Sequence, residues 1–152
     1  MTSSKRSPLD VALGLALGLL LVAGTADAQR PLPADSLARA RTWSFWFMAG
    51  AVDSLTARMI PDVLQQMGGR DGLVQGMAMV AERAGIEKRV LEERFVWRNG
   101  RRQYWREMET TAMAEPFVLR FVMDEEGRIA GIGMGPKSAA PPVDSGGVAI
   151  KP

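Results

Sequence analysis

Residues 90–134 read VLEERFVWRNGRRQYWREMETTAMAEPFVLRFVMDEEGRIAGIGM and hold four strand-like runs separated only by turns. Asn99-Gly100 anchors the reading, because a two-residue type I′ hairpin needs positive φ at both central positions, which Asn and Gly accept. With that pair as the loop, Arg98 stands opposite Arg101. Counting outward places Trp97 opposite Arg102, Phe95 opposite Tyr104, Glu93 opposite Arg106 and Leu91 opposite Met108 on one face. The other face pairs Val96 with Gln103, Arg94 with Trp105, Glu92 with Glu107 and Val90 with Glu109. The first face is the more apolar and is expected beneath helices. A third strand alternates Phe117, Leu119, Phe121 and Met123 against Val118, Arg120, Val122 and Asp124. Its second row is still half apolar, which predicts cover on both faces, the outer one by a dimer partner. Glu125-Glu126-Gly127 turns the chain into a last strand over 128–134, where Gly131 and Gly133 leave one row without side chains.

Upstream, the apolar period changes from two to about 3.6. Asp35 or Ser36 is expected to cap a helix running to about Ala49, with Leu37, Ala40, Trp43, Phe47 and Met48 at helical spacing and Trp46 beside them. Those aromatics either plug the sheet as core or form a ligand box. Asp53 or Ser54 then caps a short helix with Leu55, Met59 and Ile60 inward, and Pro61 restarts a turn that ends at Gly68-Gly69. A helix over 72–84 follows, with Leu73, Met77, Val80 and Ala84 on one stripe and Gly85 as its stop.

The two ends read differently. Lys5 and Arg6 precede an uncharged apolar run over 11–24, and Ala26 and Ala28 form an A-x-A pair. That is the pattern of a secretory signal peptide over 1–28, too short for a comfortable membrane span. It predicts export to the periplasm or beyond, with membrane contact only through an uncleaved leader. Pro31 and Pro33 predict an extended segment over 29–34. The domain proper is expected over 35–136, and 137–152 as a disordered tail.

Composition narrows the function classes. The chain has neither Cys nor His, which removes thiol and imidazole catalysis, disulfides and the usual zinc sites. The net charge is +2, and Arg alternates with Glu through the strands instead of forming a basic block, which argues against nucleic acid as a partner. No serine-hydrolase elbow, phosphate loop, dinucleotide fingerprint or metal-spaced carboxylates occur, so no cofactor, metal or catalytic residue is assigned.

Helices followed by a meander predict the α+β class: three N-terminal helices packed on a curved four-stranded antiparallel sheet. The order resembles the cystatin-like cone of the nuclear transport factor 2-like superfamily. The resemblance rests on Trp43-Ser44-Phe45-Trp46-Phe47 with Gly50-Ala51-Val52-Asp53, on the glycine-ended last helix, and on residues 121–132, FVMDEEGRIAGI. That ending is similar to one common in small exported bacterial members of unknown function. The resemblance implies a pocket at the cone mouth, lined by Trp43, Phe47, Glu93, Phe95, Tyr104 and Arg106. It leaves three functions open: a non-enzymatic domain binding an apolar or amphipathic ligand or a protein partner, a cofactor-free isomerase or dehydratase with Tyr104 as donor and Glu93 or Asp53 as base, or a homodimerisation module working through the outer sheet face.

Overall fold

A computed structural model describes residues 34–143 and the backbone of 148–150. The leader over 1–28 and all but Ala34 of the segment over 29–34 lie outside the described residues. Four helices precede the strands: α1 (Ser36–Met48), α2 (Val52–Thr56), α3 (Pro61–Gln66) and α4 (Gly69–Arg83). The count of three is therefore corrected to four, since Pro61, at the first position of α3, starts a separate helix. The last helix begins at Gly69, a turn earlier than the apolar stripe, because Gly68 takes the left-handed conformation before it and Asp71 sits in its first turn.

The strands β1 (Glu87–Arg98), β2 (Arg101–Thr110), β3 (Phe117–Met123) and β4 (Ile129–Pro136) form an antiparallel meander. Asn99 and Gly100 have φ of 52° and 68°, as the type I′ turn requires. The counted register holds from Arg98↔Arg101 through Glu92↔Glu107. Beyond that point it slips: Met108 faces Val90 instead of Leu91, and Glu109 faces Arg89. Two bulges in β1 cause the slip, and each extra residue turns the following side chains to the opposite face.

Across the inner face, Phe95, Tyr104, Phe121 and Ile132 form one row. The helices lay their stripes on it. Ala40, Trp43 and Phe47 of α1 and Leu73, Met77 and Val80 of α4 join Phe95, Tyr104, Leu119 and Phe121 in a single core. Trp43 and Phe47 approach the Phe121 ring at 5.8 and 6.4 Å between centroids. Between the helices and the sheet edge, Ile60 donates its amide to the Ile129 carbonyl at 3.0 Å, and Ile129 donates to Arg58 at 2.8 Å. Neither proposed cap acts through its side chain: Asp35 instead pairs with Arg39, and the residue before α2 is Ala51, with Asp53 inside its first turn.

The tail is not disordered throughout. Lys137–Ala139 form a 3-10 turn, and β5 (Val148–Ile150) pairs with β1 opposite Phe95, Arg94 and Glu93, giving the sheet order β4-β3-β2-β1-β5. Three residues are too few for a periodic signal, and the open edge of β1 supplies the hydrogen-bond partners that order them. Ala140 of the same tail packs on Val96, Trp105 and Val118, so this part of the outer face is covered by the chain itself. Val90 does not belong to that face, for the bulge turns it inward. Among the described residues no helix is long and apolar enough to cross a membrane.

Two glycines test this construction. Gly85 has φ +76°, and a Cβ there would meet Thr111 Oγ1 at 2.2 Å, the atom that accepts the Ile86 amide. Gly76, inside α4, has open space where a Cβ would stand. Urea denaturation is expected to show Gly76→Ala stabilised by about 0.5–1 kcal/mol and Gly85→Ala destabilised by at least about 1 kcal/mol.

Candidate functional site

Glu93 lies on the inner face of β1 and is only 2% exposed. An isolated carboxylate there would be costly, so its oxygens need partners. Arg41, one residue from the Ala40 core position of α1, donates through Nε to Oε2 at 2.9 Å. Arg106, opposite on β2, donates through Nη1 to Oε1 at 2.6 Å, and the buried Tyr104 hydroxyl donates to the same oxygen. Arg106 then extends the network outward, with Nε and Nη2 on Glu87 at 3.1 and 2.7 Å. The two bulges shift Glu87 along β2 to stand opposite Thr110, on the same face as Glu93.

The electrostatics follow from these contacts. Burial pushes the Glu93 carboxyl upward, but Arg41, Tyr104 and Arg106 together outweigh it and hold the group below the ordinary carboxylate value. Burial and the hydrogen bond to Glu93 push the Tyr104 phenol well above its usual value. Burial lowers the pKa of Arg106, while Glu87 and Tyr104 more than restore it, so the guanidinium stays charged. At neutral pH the cluster therefore holds two cations, two carboxylates and a neutral phenol.

Above this floor opens a cavity of about 750 Å³. Arg41, Glu87, Glu93 and Arg106 contribute its polar surface. Phe45 and Met48 of α1, with Ala49 just after it, form one wall, and Ala81, Ile86 and Val90 stand across from them. Phe45 is 70% exposed and Ile86 74%, so two large apolar side chains flank the mouth without cover among the described residues.

Of the six residues expected to line a pocket, Glu93 and Arg106 do so. Tyr104 is wholly buried beneath them as a support, and Phe95 packs against it at 5.5 Å between ring centroids. Trp43 and Phe47 are core and do not line the cavity, because both fall on the α1 stripe that faces Phe121. Asp53 is exposed and paired with Arg70 at 2.8 Å, which lowers its pKa, and it does not reach the cavity lining. The sequence reading missed Arg41, Phe45 and Met48. Their spacing of four and three residues marks a second stripe on the same helix, beside the aromatic one.

The folded carboxyl of Glu93 is depressed relative to the unfolded chain, so its contribution to stability is fully present above about pH 4.5 and is lost as pH falls through the lower folded value. Acid titration followed by circular dichroism should show a shallower acid limb in Glu93→Gln than in the native chain. At pH 7 the same variant should lose about 3 kcal/mol, since it leaves two guanidiniums around a neutral amide. Tyr104→Phe should lose about 1–2 kcal/mol in urea denaturation by withdrawing one donor from the carboxylate.

Searches of protein-family models, curated proteins and solved structures find no match to this chain.

Proposed function

We propose that this protein is a small exported binding domain of the nuclear transport factor 2-like cone type, and that it holds an apolar or amphipathic ligand in the groove between α1, the end of α4 and β1. The carrying observation is the pairing of exposed Phe45 and Ile86 across an apolar cavity whose charged floor is already neutralised. Clefts of roughly 300–1,000 Å³ with apolar walls and few polar groups suit small organic ligands. Glu93, Tyr104 and Arg106 spend their hydrogen bonds on one another and on Arg41 and Glu87. The half-exposed Arg41 is the floor cation left nearest to solvent, and it orients the polar end of the ligand.

Binding fits these groups better than acid-base chemistry. A general base works best with a pKa near the operating pH, whereas Glu93 is held below the ordinary carboxylate range. Assembly through the outer face has less support, since Val96 and Val118 are already buried under Ala140.

Native mass spectrometry of the exported protein tests the reading directly, with a retained apolar or amphipathic mass expected. In solution, anilinonaphthalene sulfonate should bind the groove, and Phe45→Ser or Ile86→Ser should weaken it about tenfold with little change in stability. Absence of a retained mass, together with probe affinity that neither substitution changes, would overturn the proposal.

A further inference from the structure

The outer face of the sheet carries a cross-strand row that the groove does not use. Arg94 of β1, Trp105 of β2, Arg120 of β3 and Gly133 of β4 stand side by side in register. The guanidiniums of Arg94 and Arg120 each lie 5.2 Å from the Trp105 ring centroid. Their surroundings differ. Arg94 has Glu92 at 3.6 Å, whereas no carboxylate among the described residues lies within ion-pair distance of Arg120.

Arg120 occupies a seat shaped for it. A Cβ on Gly133 would come within 2.4 Å of Nη2 and 2.7 Å of Cζ, so the missing side chain is what lets the guanidinium lie flat across β4. Stacking on Trp105 from the neighbouring strand limits its freedom further. Arg98 extends over the same face, its Nε donating to the Pro142 carbonyl at 3.1 Å. Burial, and after it the Arg98 charge, lower the Arg120 pKa. A half-buried, oriented cation is costly for a folded chain to keep, and no carboxylate among the described residues compensates Arg120.

We propose that Arg120 forms an oxyanion site on the outer sheet face that takes a phosphate group. A planar guanidinium presents paired donors that match phosphate oxygens. Trp105 and Gly133 are positioning residues, holding the Arg120 guanidinium in place against β4. The site is independent of the groove under α1.

Calorimetric titration with inorganic phosphate, and co-sedimentation with phosphatidylcholine vesicles with and without phosphatidic acid, test the proposal and separate its two sources. Saturable binding in either arm is expected, weakened roughly tenfold in Arg120→Gln. Gly133→Ala should weaken it by a similar factor at unchanged net charge, because it moves the guanidinium without removing it. Arg83→Gln, which removes a charge from the last turn of α4, should bind as the native chain does. Thermal melts by circular dichroism check that each variant is folded. Phosphate alone binding marks a free or small-molecule phosphate, and phosphatidic acid vesicles alone binding marks a lipid headgroup. The proposal falls if neither binds, if Gly133→Ala binds like the native chain, or if Arg83→Gln loses as much as Arg120→Gln.

Discussion

The Glu93 carboxylate, buried between α1 and the sheet, is the constraint that the inner face is arranged around. It requires Arg41 from the helix, Tyr104 and Arg106 from β2, and through Arg106 the Glu87 carboxylate from the far end of its own strand. These partners come from three pieces of backbone, so the carboxylate ties the helix, the hairpin and the start of β1 together. A well-packed apolar cluster could give similar stability, since a buried ion pair gains little over one. What the charges add is geometry, because the requirements of Oε1 and Oε2 are met only when α1 lies at one height along β1.

That geometry decides where the cavity opens. Satisfied among themselves, the charges make a floor that is polar in composition and nearly spent in hydrogen-bonding capacity. The walls are then free to be apolar, and the exposure of Phe45 and Ile86 follows from their place at the lip of that floor. On the opposite face the logic is reversed. Trp105 and the glycine row of β4 hold Arg120 in position, while the carboxylates of that face are engaged elsewhere, Glu107 with Lys137 and Glu92 near Arg94. One sheet thus separates a neutralised charge cluster from a cation, Arg120, that no carboxylate among the described residues pairs.

The parts of this arrangement that were legible in the sequence are those governed by short-range rules. Asn99-Gly100 admits few backbone conformations, so it set the hairpin, and the hairpin set Glu93 against Arg106 and Phe95 against Tyr104 by counting alone. The period-3.6 stripe of α1 placed Ala40, Trp43 and Phe47 on one side. The same rules could not decide whether those aromatics lined a pocket or filled the core, because periodicity reports which side chains share a face and says nothing of what covers it. Arg41 was invisible as a partner of Glu93 for a related reason: 52 residues separate them, and no local pattern links a helix surface to a particular strand position.

By itself, then, the sequence determined the α+β order of elements, the hairpin register near its turn and the charged pair embedded in the apolar row. Only the tertiary structure decided the rest. The bulges in β1 replaced Leu91 with Val90 opposite Met108 and set Glu87 opposite Thr110, and the open β1 edge ordered Val148–Ile150 as β5. A bulge or an added edge strand is settled by backbone hydrogen bonding to a partner far along the chain, and backbone groups are the same in every residue but proline. Side-chain identity carries almost no record of such choices, whereas turn conformation and burial are written into it directly.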